Sequence, residues 1–155
     1  MFKSSDSVDS LLKQKPGVVW SIAPERSVFE AIHEMSDKSI GALLVMSEGS
    51  LIGIVSERDY ARKVILLGRS SKNTRVAEIM TGDVVCVSPS TTLEECMALM
   101  TKHHIRHLPV MKDGQVLGVV SIGDVVKWII SAQEATIRHL EQYISGVPTQ
   151  WVNGM

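Results

Sequence analysis

The feature that most constrains this chain is that it repeats itself. Displaced by 65 residues, Pro24 falls on Pro89, Glu30 on Glu95, Met35 on Met100 and Ile40 on Ile105. Val45-Met46 then meets Val110-Met111, Gly49 meets Gly114, Gly53 meets Gly118, Val55-Ser56 meets Val120-Ser121, and Asp59 meets Asp124, with no gap. Self-similarity at one fixed offset means two copies of one supersecondary unit, which bury their apolar faces by packing on each other. A chain of 155 residues suits one domain, or two small ones sharing a core.

Each copy reads the same way locally. The β-branched runs Val18–Ile22 and Val84–Val87 predict strands, closed by Pro24 and Pro89. Ser27 and Thr92 are placed to cap helices whose apolar residues fall at helical spacing: Val28, Ala31, Ile32 and Met35, then Leu93, Cys96, Met97 and Met100. Strands over Ala42–Met46 and His107–Met111 turn tightly through Ser47–Ser50 and Lys112–Gln115, where Gly49 and Gly114 supply a positive φ. Return strands Leu51–Val55 and Val116–Val120 lead into helices starting near Ser56 and Ser121. The expectation is an α+β chain with the order β-α-β-β-α in each copy. A leader helix occupies 1–15, the first repeat 16–68, and a linker with a short helix or turn at Val76–Met80 occupies 69–80. The second repeat covers 81–131, a helical extension ending at Gly146 covers 132–146, and a patternless tail covers 147–155.

Composition narrows the function. Hydrophobic residues at 45% and charged residues at 21% exclude a disordered chain or a coiled-coil rod. Sixteen Lys and Arg against 17 Asp and Glu give a formal charge of −1, so no global field draws the chain to nucleic acid or an anionic membrane. Aromatic residues at 5% leave little surface for stacking bases. No apolar run approaches the ~18 residues of a membrane span, and Met1–Asp6 lacks the apolar core of a secretory signal. A cytoplasmic location is expected. Cys86 and Cys96 have no metal-like spacing and read as small buried hydrophobes. His103, His104 and His107 are grouped, but side chains diverging at a strand edge make a poor metal site, and none is expected. There is no phosphate-binding glycine loop and no Ser-His-Asp set, so an enzyme is not expected.

Two segments stand out: Gly53-Ile54-Val55-Ser56-Glu57-Arg58-Asp59 and Gly118-Val119-Val120-Ser121-Ile122-Gly123-Asp124. A glycine on an apolar strand, followed by Ser-x-x-Asp opening a helix, resembles the signature of the cystathionine β-synthase (CBS) domain. His107-Leu108-Pro109-Val110 ahead of Asp113-Gly114 is similar to the other half of that signature, and Ile79-Met80-Thr81 ahead of the second copy is also typical. The resemblance spans residues 16 to 131. It implies two repeats packed sheet to sheet with pseudo-twofold symmetry, as a stand-alone Bateman-type module that forms a homodimer. It further implies that an adenosine nucleotide (AMP, ADP, ATP or NAD) binds in the cleft between repeats and that the module regulates an unidentified partner protein. The alternative within the same family is a ligand-free interaction scaffold, docking through Trp20, Trp128 and the last helix.

The candidate site follows from this. An ionised Asp59 or Asp124 can accept both hydroxyls of a ribose, while Ser56 or Ser121 adds a hydroxyl at the helix start. Ser-x-x-Asp is equally the pattern of a capping box, in which the acid reaches back to its own backbone. Arg106 and Arg58 are the phosphate candidates, and their counterparts Gly41 and Gly123 make the two sites unequal. His104 or His107 would add pH-dependent affinity for phosphate, with His107 the site candidate. Ile22, Ile105 and Pro109 would contact the base, or else serve as ordinary core residues.

Overall fold

The computed structural model describes residues 6–15 and 17–145; the tail and the helix stop at Gly146 lie outside them. Along the chain come α1 (Val8–Leu12), β1 (Ser21–Ile22), α2 (Val28–Lys38), β2 (Ala42–Ser47), β3 (Ser50–Ser56) and α3 (Glu57–Tyr60), which runs into a π-helical turn at Ala61–Ile65. Then follow α4 (Val76–Ile79), α5 (Leu93–His103), β4 (His107–Lys112), β5 (Gln115–Ser121) and α6 (Ile122–Ser145). In the first half β1 lies parallel to β2 and β2 antiparallel to β3. In the second half β4 and β5 are antiparallel.

Local chemistry repeats as faithfully as the sequence. Ser27 Oγ accepts from the Glu30 amide at 3.1 Å and Thr92 Oγ1 from the Glu95 amide at 3.1 Å, fixing where α2 and α5 begin. Both helices end on a left-handed residue, Ser39 and His104, each at φ 54°. The hairpins turn through Glu48-Gly49 (φ 51° and 78°) and Asp113-Gly114 (φ 51° and 76°). Two consecutive positive φ angles make a type I′ turn, whose twist matches that of the strands it joins. The two expected first strands are shorter than their β-branched runs. Only Ser21–Ile22 pairs in the first half, and in the second Val87 alone forms a parallel bridge to Val110. Val84 and Val85 instead line a cavity, so site geometry overrides their strand propensity. Cys86 is exposed, not buried, which corrects that expectation; Cys96 is buried, and burial, then the charge of Glu95, pushes its thiol up to about 11.

The halves are joined by an exchange of leaders. Val8 and Leu11 of α1 complete the second core, with Leu93, Cys96, Met100, Leu108 and Val120. Val76 and Ile79 of α4 complete the first, with Val28, Ala31, Met35, Leu43 and Val55. Each short helix therefore precedes one repeat and packs on the other. The backbone bonds are reciprocal. The Val8 amide donates to Thr91 O (2.9 Å) and the Asp9 amide to Pro89 O (2.9 Å), just as the Val76 amide donates to Arg26 O (2.8 Å) and the Ala77 amide to Pro24 O (3.0 Å). The Leu93 amide returns to Asp6 O at 2.7 Å, and the Val28 amide to Thr74 O at 2.8 Å. Such reciprocity is what a pseudo-twofold axis between the repeats requires. It also explains Gly53 and Gly118. A Cβ on Gly53 would lie 2.6 Å from Met80 Sδ and 3.0 Å from Thr81 O, and one on Gly118 would lie 2.9 Å from Leu12 Cδ2. Each glycine makes room for the residue that follows the opposite half's leader contact.

Candidate functional site

A cavity of about 640 Å³ opens between the repeats. The first half contributes Gly41, Ile54, Ser56, Glu57, Arg58, Asp59, Arg62 and Lys63; the second contributes His104, Ile105, Arg106 and His107, with Thr81, Asp83, Val84 and Val85 from the segment before it. Six of the ten candidate residues meet here: Ser56, Arg58, Asp59, Ile105, Arg106 and His107. Ser121 and Asp124 occupy the equivalent place in the other half. Ile22 packs in the first core, and Pro109 is buried within β4, where its carbonyl accepts from the Val87 amide.

The start of α3 builds the open side. The Ser56 side chain accepts from the Asp59 amide at 3.2 Å, and Asp59 Oδ2 accepts from the Ser56 amide at 2.9 Å and its hydroxyl at 3.0 Å. This is the capping box. Lys63, on the π turn, approaches Asp59 Oδ1 at 3.1 Å and donates to Ile79 O at 2.9 Å. Arg58 reaches across to His104 O at 3.0 Å, tying the first half's helix start to the second half's left-handed cap. The cavity thus carries two arginines from α3 and its π turn, and a third, Arg106, facing them from the other repeat.

The equivalent corner of the second half is built differently. Ser121 and Asp124 form the same reciprocal pair, at 2.9 and 3.1 Å. Lys15, from the segment after α1, donates to Asp124 Oδ2 at 2.7 Å and to Val119 O at 2.5 Å. Burial pushes the Asp124 carboxyl up, but hydrogen bonds from Lys15 and Ser121 and the Lys15 charge outweigh it, leaving its pKa below the usual value. Burial, then the charges of Lys15 and Arg106, hold the His107 imidazole below its ordinary pKa against the opposing pull of Asp124. His107 therefore lines the cavity while sensing the charges of Lys15 and Asp124 in the other corner.

Sequence reasoning missed Lys15 and the cavity wall at Val84 and Val85. Lys15 is 109 residues from the acid it meets, and no local spacing announces such a pair. Among the described residues no group of three His, Cys, Asp or Glu side chains is placed to hold a metal ion, and no helix is long and apolar enough to cross a membrane.

The model of the CBS domain matches residues 16–65 and again 76–131. The chain belongs to the CBS domain family. It is a CBS pair, and over an alignment of 147 residues it is 40% identical to the mitochondrial CBS domain-containing protein CBSX3 of Arabidopsis thaliana, covering 92% of this chain and 71% of that one. Among solved structures, one described as a signal-transduction protein with CBS domains, from Burkholderia ambifaria, superposes with a TM-score of 0.80 at 51% identity, covering 82% of this chain and 96% of that one. A CBS-domain protein of Agrobacterium tumefaciens superposes at 0.75 with 36% identity, over 78% and 97% of the two chains.

Proposed function

We propose that this CBS pair is a regulatory module that takes an adenosine nucleotide (AMP, ADP, ATP or NAD) in the cavity between its repeats and passes the occupied state to a partner protein. The observation that carries this reading is the meeting of Ser56-x-x-Asp59 with Arg106 and His107 across one cavity, although they come from opposite repeats. Asp59 would exchange its own backbone for the two ribose hydroxyls, charge-assisted acceptor for acceptor. Arg58, Arg62 and Arg106 would hold phosphate, and Ile54, Val84, Val85 and Ile105 would flank the base. A ligand touching both repeats favours one angle between them, and such a population shift is the signal. The module itself does no chemistry on the nucleotide.

The scaffold reading keeps a role in this scheme. On α6 the residues Ile122, Val126, Ile130, Ile137, Leu140 and Ile144 are 41% to 55% exposed and fall at helical spacing. That stripe suits a second copy of the chain or the regulated partner. The test is thermal unfolding with AMP, ATP and NAD at millimolar concentration. Binding to the folded state raises the melting temperature by mass action, by about 2.7 kcal/mol of stability at a hundredfold excess over Kd. Asp59→Ala removes the rise. A wild-type protein that no adenosine compound stabilises would overturn the nucleotide reading and leave the scaffold.

A further inference from the structure

We infer that Lys15 is a tethered cation that closes the second crevice, so that the module takes one nucleotide, through Asp59, and not two. The inference rests on the nucleotide reading of the open cavity and extends it to stoichiometry. In the first half Ile54 and Asp59 both line the cavity. Their counterparts 65 residues on are Val119 and Asp124, and Lys15 bonds both at once, spanning the corner that is open in the first half. The chain's own repeat supplies the control. Reckoned by the offset of 68 that relates the two leaders, the counterpart of Lys15 is Asp83, an acid, and it lines the open cavity.

Asp59 also has a lysine, but of a different kind. Lys63 sits one turn further along the same helical segment and is itself part of the cavity wall, so pairing with it leaves the crevice open. Its counterpart in the second half is Trp128, whose indole nitrogen donates to Asp6 Oδ2 at 3.0 Å. That bond, the packing of Leu12 over Gly118 and the Val8 and Asp9 backbone bonds anchor the segment that delivers Lys15. A tethered group competes at high effective concentration with any free ligand. The second crevice also lacks guanidinium groups where Arg106 and Arg58 stand in the first, since Gly41 and Gly123 occupy those positions. Of the three arginines only Arg62 has a cationic counterpart, Lys127, so once opened the second crevice would hold the ribose of an adenosine compound with a weaker grip on a phosphate.

Counting bound AMP and adenosine by titration calorimetry and native mass spectrometry tests this. Lys15→Met keeps the alkyl stem and removes the charge. The wild type is expected to bind one equivalent and Asp59→Ala none. Lys15→Met should bind a second equivalent, roughly ten-fold weaker for AMP because two of the three charge-assisted arginine contacts to phosphate have no counterpart there, and Lys15→Met/Asp124→Ala should return to one. Two equivalents on the wild type, one of them lost in Asp124→Ala, would overturn the inference while sparing the nucleotide reading. So would a Lys15→Met protein that stays at one. No binding by any of the five proteins would overturn both.

Discussion

The two crevices of this molecule start from the same sentence and end with different meanings. In each half a strand delivers a serine to the start of a helix, and the acid three residues on caps that serine's own backbone. In the first half the corner faces a cavity shared with Arg106 and His107. In the second, a lysine brought by the exchanged leader sits on it. The difference teaches that the repeat fixes the scaffold, while the segments outside the repeat period decide what each copy of the site can do.

Truncating equivalent core residues should break the comparison first, if it can be broken. Leu43 and Leu108 are each about 1% exposed or less, and replacing either with alanine should cost about 3 kcal/mol. Because the leaders cross between halves, either change should lower a single denaturant transition; two separate transitions would show that the halves unfold independently. The glycines come next. Gly53→Ala should cost about 2 kcal/mol and Gly118→Ala about 1 kcal/mol, since overpacking a tight contact is destabilising. The larger figure belongs to Gly53 because one atom it meets is a backbone carbonyl, whereas Gly118 meets only the end of the Leu12 side chain. Equal losses would mean that the two leaders pack alike. Ser56→Ala and Ser121→Ala should each cost about 1 kcal/mol, the ordinary worth of an N-cap, and a difference between them would locate strain in one corner.

The smallest expected effect is on acid stability. His107 has a pKa below its ordinary 6.5, so the unfolded chain binds its proton more readily than the folded one. Its contribution is fully present above that value, and is lost as pH falls from there through the lower folded value. Its counterpart in the first half is Ala42. Installing that residue with His107→Ala should flatten the pH dependence of the denaturation midpoint across this window. An unchanged slope would place the titrating group elsewhere. Asp124, whose pKa is lowered, contributes stability that persists above 3.8 and disappears only at more acidic pH.

Much of the fold was legible because the 65-residue offset runs without a gap from Pro24 to Asp59, so helices, hairpins and caps could be read twice. The leader exchange was not legible. Val8 and Leu11 match Val76 and Ile79 only at an offset of 68, and helices of five and four residues carry too little pattern to stand out. Val84–Val87 misled because β-branched residues suit either a strand or a half-buried wall, and only the tertiary setting chooses. At the site, Ser56 and Asp59 could be read from their spacing, and Arg106 from the resemblance to CBS domains. That Asp124 is paired with Lys15 while Asp59 lines the cavity was not legible, because no short-range rule encodes a contact 109 residues apart.

The crossed leaders bear on how such a chain came to exist. A lone copy of the repeat would expose the hole that its neighbour's helix fills, and would be incomplete by itself. Two separate copies could close both holes only by trading arms, as domain-swapped partners do. Joining them end to end turns that trade into an internal one and frees each arm to diverge. One arm carries Asp83 where the other carries Lys15, and two identical arms could not hold those two choices at once.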